Sequence, residues 1–200
     1  MAIDKQLSMF SSVEDIKLQQ LALPKPDITV SRVELAEWKQ RIFVYQSRVR
    51  SERSPQQPTL FELTFYSATN SPDPDNIDPF SLPPQNTEFW RWKAYDPGCA
   101  ALYFVIDHEL PILLYVGETV KSNQRWKGEH DCKRYLQQYV SAHRPHQLPV
   151  AVNIGFWPKA PQDTRPRQQL ESALIDKWRS PFNKENWSFW GTPFVGGKLP

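Results

Sequence analysis

From Val33 the chain reads VELAEWKQRIFVYQSRVRSER, and its apolar residues recur at helical intervals. Val33, Leu35, Trp38, Ile42, Val44, Tyr45 and Val49 are read as one broad apolar face of a helix of about twenty residues. Ser31, with Glu34 three residues later, is a capping-box pattern that supplies the helix start. The preceding thirty residues have little periodicity and end in LALPKPD, whose prolines disfavour a helix. TLFELTFYSA (59–68) alternates as a strand does. SPDPDNIDPFSLPP (71–84) then places five prolines in fourteen residues, so it reads as a loop or linker.

NTEFWRWKAY (86–95) is a further candidate strand and DPG (96–98) a turn. The apolar runs CAALYFVID (99–107) and PILLYVG (111–117), separated by HEL, predict a β-hairpin. Residues 122 to about 141 read as a helix, VAVNIGFW (150–157) as a third strand, PKAPQDTRP as a loop, and RQQLESALIDKWRS (167–180) as a helix stopped by Pro181. The order ββαβα predicts a small α+β domain over 96–200, with a central three-stranded antiparallel sheet flanked by helices. Residues 1–95 form an N-terminal, helix-containing extension of unknown role, with the proline-rich linker at 71–84.

The last helix carries polar residues where apolar ones are expected. With Leu170 at 0° on a helical wheel, Leu174 falls at about 40°, Trp178 at about 80° and Ile175 at about 140°. Arg167, at about 60°, and Glu171, at about 100°, lie inside that arc, whereas Asp176, at about 240°, lies outside it. Two readings follow. Arg167 and Glu171 form an i,i+4 pair at the edge of the stripe, or Glu171 points into a cleft where a metal ion or substrate stabilises its charge. In the preceding helix Arg125 falls in the same direction as Cys132, Leu136, Tyr139 and Val140, either as a snorkelling side chain or as a cation aimed at a site.

Composition narrows the class. Two cysteines, Cys99 and Cys132, are too few for a disulfide framework or a four-cysteine zinc site, which favours a reducing compartment, and cytoplasm is the expected location. No run of about 18 apolar residues predicts a membrane span. The formal net charge is +2, divided unevenly: 1–95 carries 11 Lys+Arg against 12 Asp+Glu, and 96–200 carries 13 against 10. The second half therefore tilts weakly toward a polyanion partner. His143 and His146 form H-x-x-H, yet adjacent prolines and the lack of cysteine partners argue against a zinc site.

Tyr103 on the first strand, Tyr115-Val116-Gly117 closing the second, Arg125 on the next helix, Glu171 on the last helix and Asn183 just beyond it together resemble the GIY-YIG nuclease superfamily. Its members include the incision domain of the UvrC repair protein, homing endonucleases and restriction enzymes. Twelve residues separate the tyrosines, ten separate Tyr115 from Arg125, and twelve separate Glu171 from Asn183, spacings similar to the family's. The resemblance spans roughly 96–190. Departures are Ala101-Leu102-Tyr103 for the GIY triplet, Glu118 where many members have lysine, and Glu129 where a histidine is common, with His130 one residue later.

The resemblance implies a metal-dependent endonuclease that hydrolyses DNA phosphodiester bonds. Glu171 would bind one divalent ion, Mg2+ or Mn2+, and Arg125 would offer a forked cation to the phosphate. A tyrosine would serve as general base, Tyr103 being favoured, with Tyr115 orienting water or phosphate. The ordinary tyrosine pKa of about 10 makes stabilisation of the phenolate a requirement of this chemistry. Asn183 would hold the site by hydrogen bonds or fix the segment after the helix, and could alternatively cap a turn. His130 is a further candidate catalytic residue, while Lys121 and Arg167 are candidate substrate-binding cations. The competing readings are a nucleic-acid-binding module of the same fold without catalysis, and an RNA-cleaving enzyme.

Overall fold

A computed structural model describes residues 30–52, 72–85, 99–121 and 131–195. The candidate strands at 59–68 and 86–95, the DPG turn and the start of the helix at 122 lie outside these residues.

Helix α1 spans Arg32–Ser51 and starts as the capping box predicts: Ser31 accepts from the Glu34 N–H and Glu34 accepts from the Ser31 N–H. Its buried stripe is Leu35, Trp38, Lys39, Ile42 and Gln46, which differs from the expected face. Val33 is 64% and Val44 58% exposed, being about 160–180° from Leu35 around the helix. The stripe takes two polar residues instead because each is satisfied inside. Lys39 Nζ donates to Asp107 Oδ2 at 3.0 Å. Gln46 accepts from the Leu113 N–H at 2.7 Å and donates to the carbonyls of Leu113 and Trp178 at 2.9 and 3.0 Å.

The predicted hairpin forms from β1 (Ala101–Asp107) and β2 (Ile112–Thr119), and β3 (Val152–Trp157) pairs antiparallel on the other side of β1. The sheet order is β2-β1-β3, which makes the first hairpin strand central. All seven residues of β1 are buried, as a strand covered on both faces must be. Helix α2 (Asp131–His143) and α1 cover one face, where Tyr103, Val105 and Ile154 pack with Leu35, Trp38, Ile42, Tyr135 and Tyr139. Helix α3 (Thr164–Trp178) covers the other through Leu170, Leu174, Ile175 and Trp178, which pack on Leu102, Phe104 and Val116. The described chain is thus α+β, with a three-stranded antiparallel sheet flanked by helices.

α3 starts three residues before the predicted position. Pro166 lies in its first turn, where a missing N–H breaks no helical bond, so the proline does not delay the helix. The helix ends at Trp178, before Pro181, as Arg179 turns left-handed with φ 48°. The described residues of the proline-rich stretch, 72–84, contain no α-helix or strand, but they are not a free tether. Asp73 and Asp78 cap two 3-10 turns, Pro74–Asn76 and Pro79–Ser81. Between them Ile77 is buried against the α3 layer, and Asp75 pairs with Lys177 at 2.6 Å. Just beyond, Gln85 bonds both ways with Ile154 on β3. Among the described residues no helix is long and apolar enough to cross a membrane.

His143 closes α2. Its Nδ1–H donates to the Tyr139 carbonyl at 2.7 Å and its Nε2 is buried without a partner. Burial, reinforced by the Lys39 charge, holds its pKa down at about 4 against the opposing effects of that hydrogen bond and of Asp107. The unfolded chain protonates this imidazole below about pH 6.5 while the fold keeps it neutral. Its contribution is therefore full above about 6.5 and is lost as pH falls through about 4, amounting to about 3 kcal/mol. Urea unfolding at pH 7 and pH 4 should show a smaller acid loss in His143→Leu than in the parent; equal losses would refute the assignment.

Candidate active site at the end of the hairpin

The hairpin register puts Tyr103 opposite Gly117 and Val105 opposite Tyr115. The two tyrosines are therefore diagonal neighbours on one sheet face, within reach of aromatic side chains. Their rings stack with centroids 5.8 Å apart and planes 29° apart, and Phe156 flanks Tyr103 at 6.0 Å. Gly117 makes this possible: a Cβ there would lie 2.6 Å from Tyr103 Cε1 and closer still to Cζ and the hydroxyl. A glycine within a strand pattern signals such a close approach.

Tyr103 is fully buried and Tyr115 is partly exposed. A general base must be reached by the water it deprotonates. Of the two, Tyr115 is the one that solvent reaches, and Tyr103 is packed behind it.

Asn183 is clamped to the strand that carries Tyr115. Its Oδ1 accepts from the Val116 N–H at 3.0 Å and its Nδ2 donates to the Val116 carbonyl at 2.9 Å. Ser180 Oγ donates to the same Oδ1 at 2.6 Å, and the Phe182 N–H donates to the Leu114 carbonyl at 2.9 Å. β2 is an edge strand, so this segment covers hydrogen-bonding groups that would otherwise stand open. Asn183 begins the 3-10 turn Lys184–Asn186 without a side-chain cap bond, so the capping alternative does not hold.

Arg167 departs from expectation. It is fully buried, and its Nε donates to Glu118 Oε2 at 2.6 Å. Its terminal nitrogens donate to the carbonyls of Pro161 and Gln162 at 3.0 and 2.7 Å and to Thr164 Oγ1 at 3.4 Å. A guanidinium enclosed and engaged in this way is closed to substrate, and it pairs with Glu118 rather than with Glu171. Glu118 is legible in the sequence as a polar residue beside Gly117, but its buried partner is not, because 49 residues separate the two.

Glu171 is partly buried on α3, one turn after Arg167. α3 runs antiparallel to β2, since Arg167 meets Glu118 at one end while Gln46 bridges Trp178 and Leu113 at the other. With 1.5 Å rise per residue, Glu171 lies about 6 Å along the axis from Arg167, beside the C-terminal half of β2. The tyrosines and α3 occupy opposite sheet faces, so Tyr115 and Glu171 stand on opposite sides of β2, and the chain leaves the sheet after Thr119. Lys121 is exposed there, its backbone N–H held by Thr119 Oγ1 at 3.1 Å. Arg125 and His130 fall outside the described residues.

Among the described residues no three His, Cys, Asp or Glu side chains converge. A hard cation here would rest on the Glu171 carboxylate, with water and phosphate oxygens completing its shell. Mg2+ is commonly held this way, by one or two carboxylates, so a partly exposed carboxylate fits. His143 and His146 do not form a metal pair: His143 Nδ1 meets the Tyr139 carbonyl and His146 Nε2 meets the Val30 carbonyl at 2.8 Å. Compared with known family models, curated proteins and solved structures, the chain matches none.

Proposed function

We propose that the chain is a metal-dependent DNA endonuclease of the GIY-YIG type. The observation that carries this reading is the stacked Tyr103–Tyr115 pair laid against Gly117, on a strand whose backbone Asn183 clamps. A packed aromatic pair needs no side chain omitted beneath it; here the Tyr103 ring lies on the bare backbone of Gly117 and backs the Tyr115 ring, which favours one orientation for Tyr115. Tyr115 takes a proton from the water that adds to phosphorus as the P–O3′ bond breaks. Arg125 binds the phosphate oxygens, Lys121 adds charge along the nucleic-acid path, and Glu171 holds the divalent ion. Bound there, Mg2+ or Mn2+ would supply charge neutralisation for the phosphate and the leaving oxygen. The excess of basic residues over 96–200 suits a polyanion.

A second reading is a nucleic-acid-binding module without catalysis. It is favoured by the complete burial of Tyr103 and Arg167, which withholds two expected functional groups from solvent.

Incubating the purified full chain with supercoiled plasmid, branched DNA and single-stranded RNA in Mg2+ or Mn2+ separates the readings. The parent should nick or cut DNA, and Glu171→Ala should lose about 100-fold or more, corresponding to about 2.7 kcal/mol of transition-state stabilisation. Tyr115→Phe should lose more than Tyr103→Phe. Equal cleavage by the parent and Glu171→Ala would overturn the site. Binding without cleavage would establish the second reading, and cleavage of RNA alone would move the substrate class.

A further inference from the structure

Resting on the nuclease reading, we infer that the Arg167–Glu118 pair is a positioning device that sets where Glu171 stands relative to the Tyr115–Gly117 segment of β2. Arg167 is fully buried, so its charge cannot be spent on substrate. It is offset by Glu118 at 2.6 Å, a carboxylate whose side chain is only 22% exposed. Glu118 directly follows Gly117, the residue against which Tyr103 lies. Arg167 lies four residues before Glu171, on the same side of α3. One ion pair therefore ties the strand segment bearing the tyrosine arrangement to the helical turn bearing the metal-binding carboxylate.

The remaining bonds of Arg167 make the tie rigid. Two carbonyls, Pro161 and Gln162, belong to the loop before α3, and Thr164 is its first residue. The guanidinium fork thus fixes the start of α3 to its own entry loop and to β2 together. A lysine at this place would keep the charge but, as a point donor on a flexible stem, could not span those acceptors in fixed directions. Groups that orient a ligating side chain without touching the ion commonly change metal affinity by about 10–100-fold when replaced. The pair is expected to act in that way, through the placement of Glu171.

The test measures Mn2+ in two ways on the purified full chain: plasmid cleavage as a function of Mn2+, and direct Mn2+ binding by water-proton relaxation. Glu118→Gln and Arg167→Lys are compared with the parent and with Ile42→Val, which loosens the core on the opposite sheet face. Thermal unfolding of all four accompanies the titrations. The expected result is a rise of about tenfold in half-saturating Mn2+ for Glu118→Gln and a rise in the same direction for Arg167→Lys. Cleavage at saturating Mn2+ should recover to within about twofold of the parent, a split that loss of stability alone does not produce. Ile42→Val should leave the Mn2+ dependence where it was. An unchanged Mn2+ dependence in both pair variants, with an active parent, overturns the positioning role and leaves the nuclease reading standing. A parent that neither cleaves nor binds Mn2+ overturns the nuclease reading and this inference with it. Should Glu118→Gln fail to fold, Arg167→Lys decides the question by the same two readouts.

Discussion

Asp107→Ala is expected to lower the unfolding free energy by about 3–5 kcal/mol, the cost of breaking one side of a buried ion pair. Asp107 is fully buried at the end of β1. Its Oδ2 takes Lys39 Nζ at 3.0 Å and the Tyr139 hydroxyl at 2.7 Å. Its Oδ1 takes the backbone N–H groups of Glu109 and Ala151, each at 3.0 Å. Burial, with the neighbouring Asp107 charge adding to it, keeps the Tyr139 phenol neutral far above the usual tyrosine range, so that hydroxyl remains a donor. Removing the carboxylate strands a lysine charge, a phenol and two amides together. Lys39→Met added to Asp107→Ala should restore part of the loss by removing the charge, and only part because the amides and the phenol stay unpaired. Urea denaturation reads both numbers. A loss below about 1 kcal/mol would falsify the view that this network is closed to water.

The same network makes α1 part of the core. Lys39 and Gln46 reach β1 and β2 from that helix, so α1 shares a core with the hairpin.

Gly117→Ala is expected to cost about 1–3 kcal/mol and, on the proposed nuclease reading, to depress cleavage as well. The added methyl would stand within 2.6 Å of Tyr103 Cε1. That ring is wedged between Tyr115 and Phe156, so it cannot swing aside without breaking the stack. Thermal unfolding of Gly117→Ala, Tyr103→Ala and the double variant tests the contact directly. Tyr103→Ala removes the object of the collision, so the double variant should be clearly less destabilised than the two single losses combined. Additive losses would mean that the glycine serves the strand alone and not the ring.

Much of the fold was legible because it depends on local regularities. Serine and glutamate three apart mark the start of α1, two apolar runs around a short polar break mark the hairpin, and Leu170, Leu174, Ile175 and Trp178 mark the buried side of α3. Each signal is written within a few residues. On α1 the expected face holds at Leu35, Trp38 and Ile42, fails at Val33 and Val44, and omits Lys39 and Gln46, whose burial is decided by partners far along the chain, at Asp107, Leu113 and Trp178. Helical spacing reveals which residues share a side, but hydropathy leaves out polar residues that are satisfied inside.

The candidate site divides in the same way. The chain by itself determined which chemical groups are present and in what order: Tyr103, Tyr115, Gly117, Glu118, Lys121, Arg125, Glu171 and Asn183. Only the tertiary structure decided which are accessible and which are occupied. Tyr103 is enclosed while Tyr115 reaches the surface, Asn183 grips the Val116 backbone, and Arg167 turns from a candidate substrate contact into the partner of Glu118. Residue type sets what a side chain can donate, accept or ionise, a local property carried by the sequence. What it does donate to depends on which distant groups folding places within about 3 Å, and that is settled by packing the whole chain.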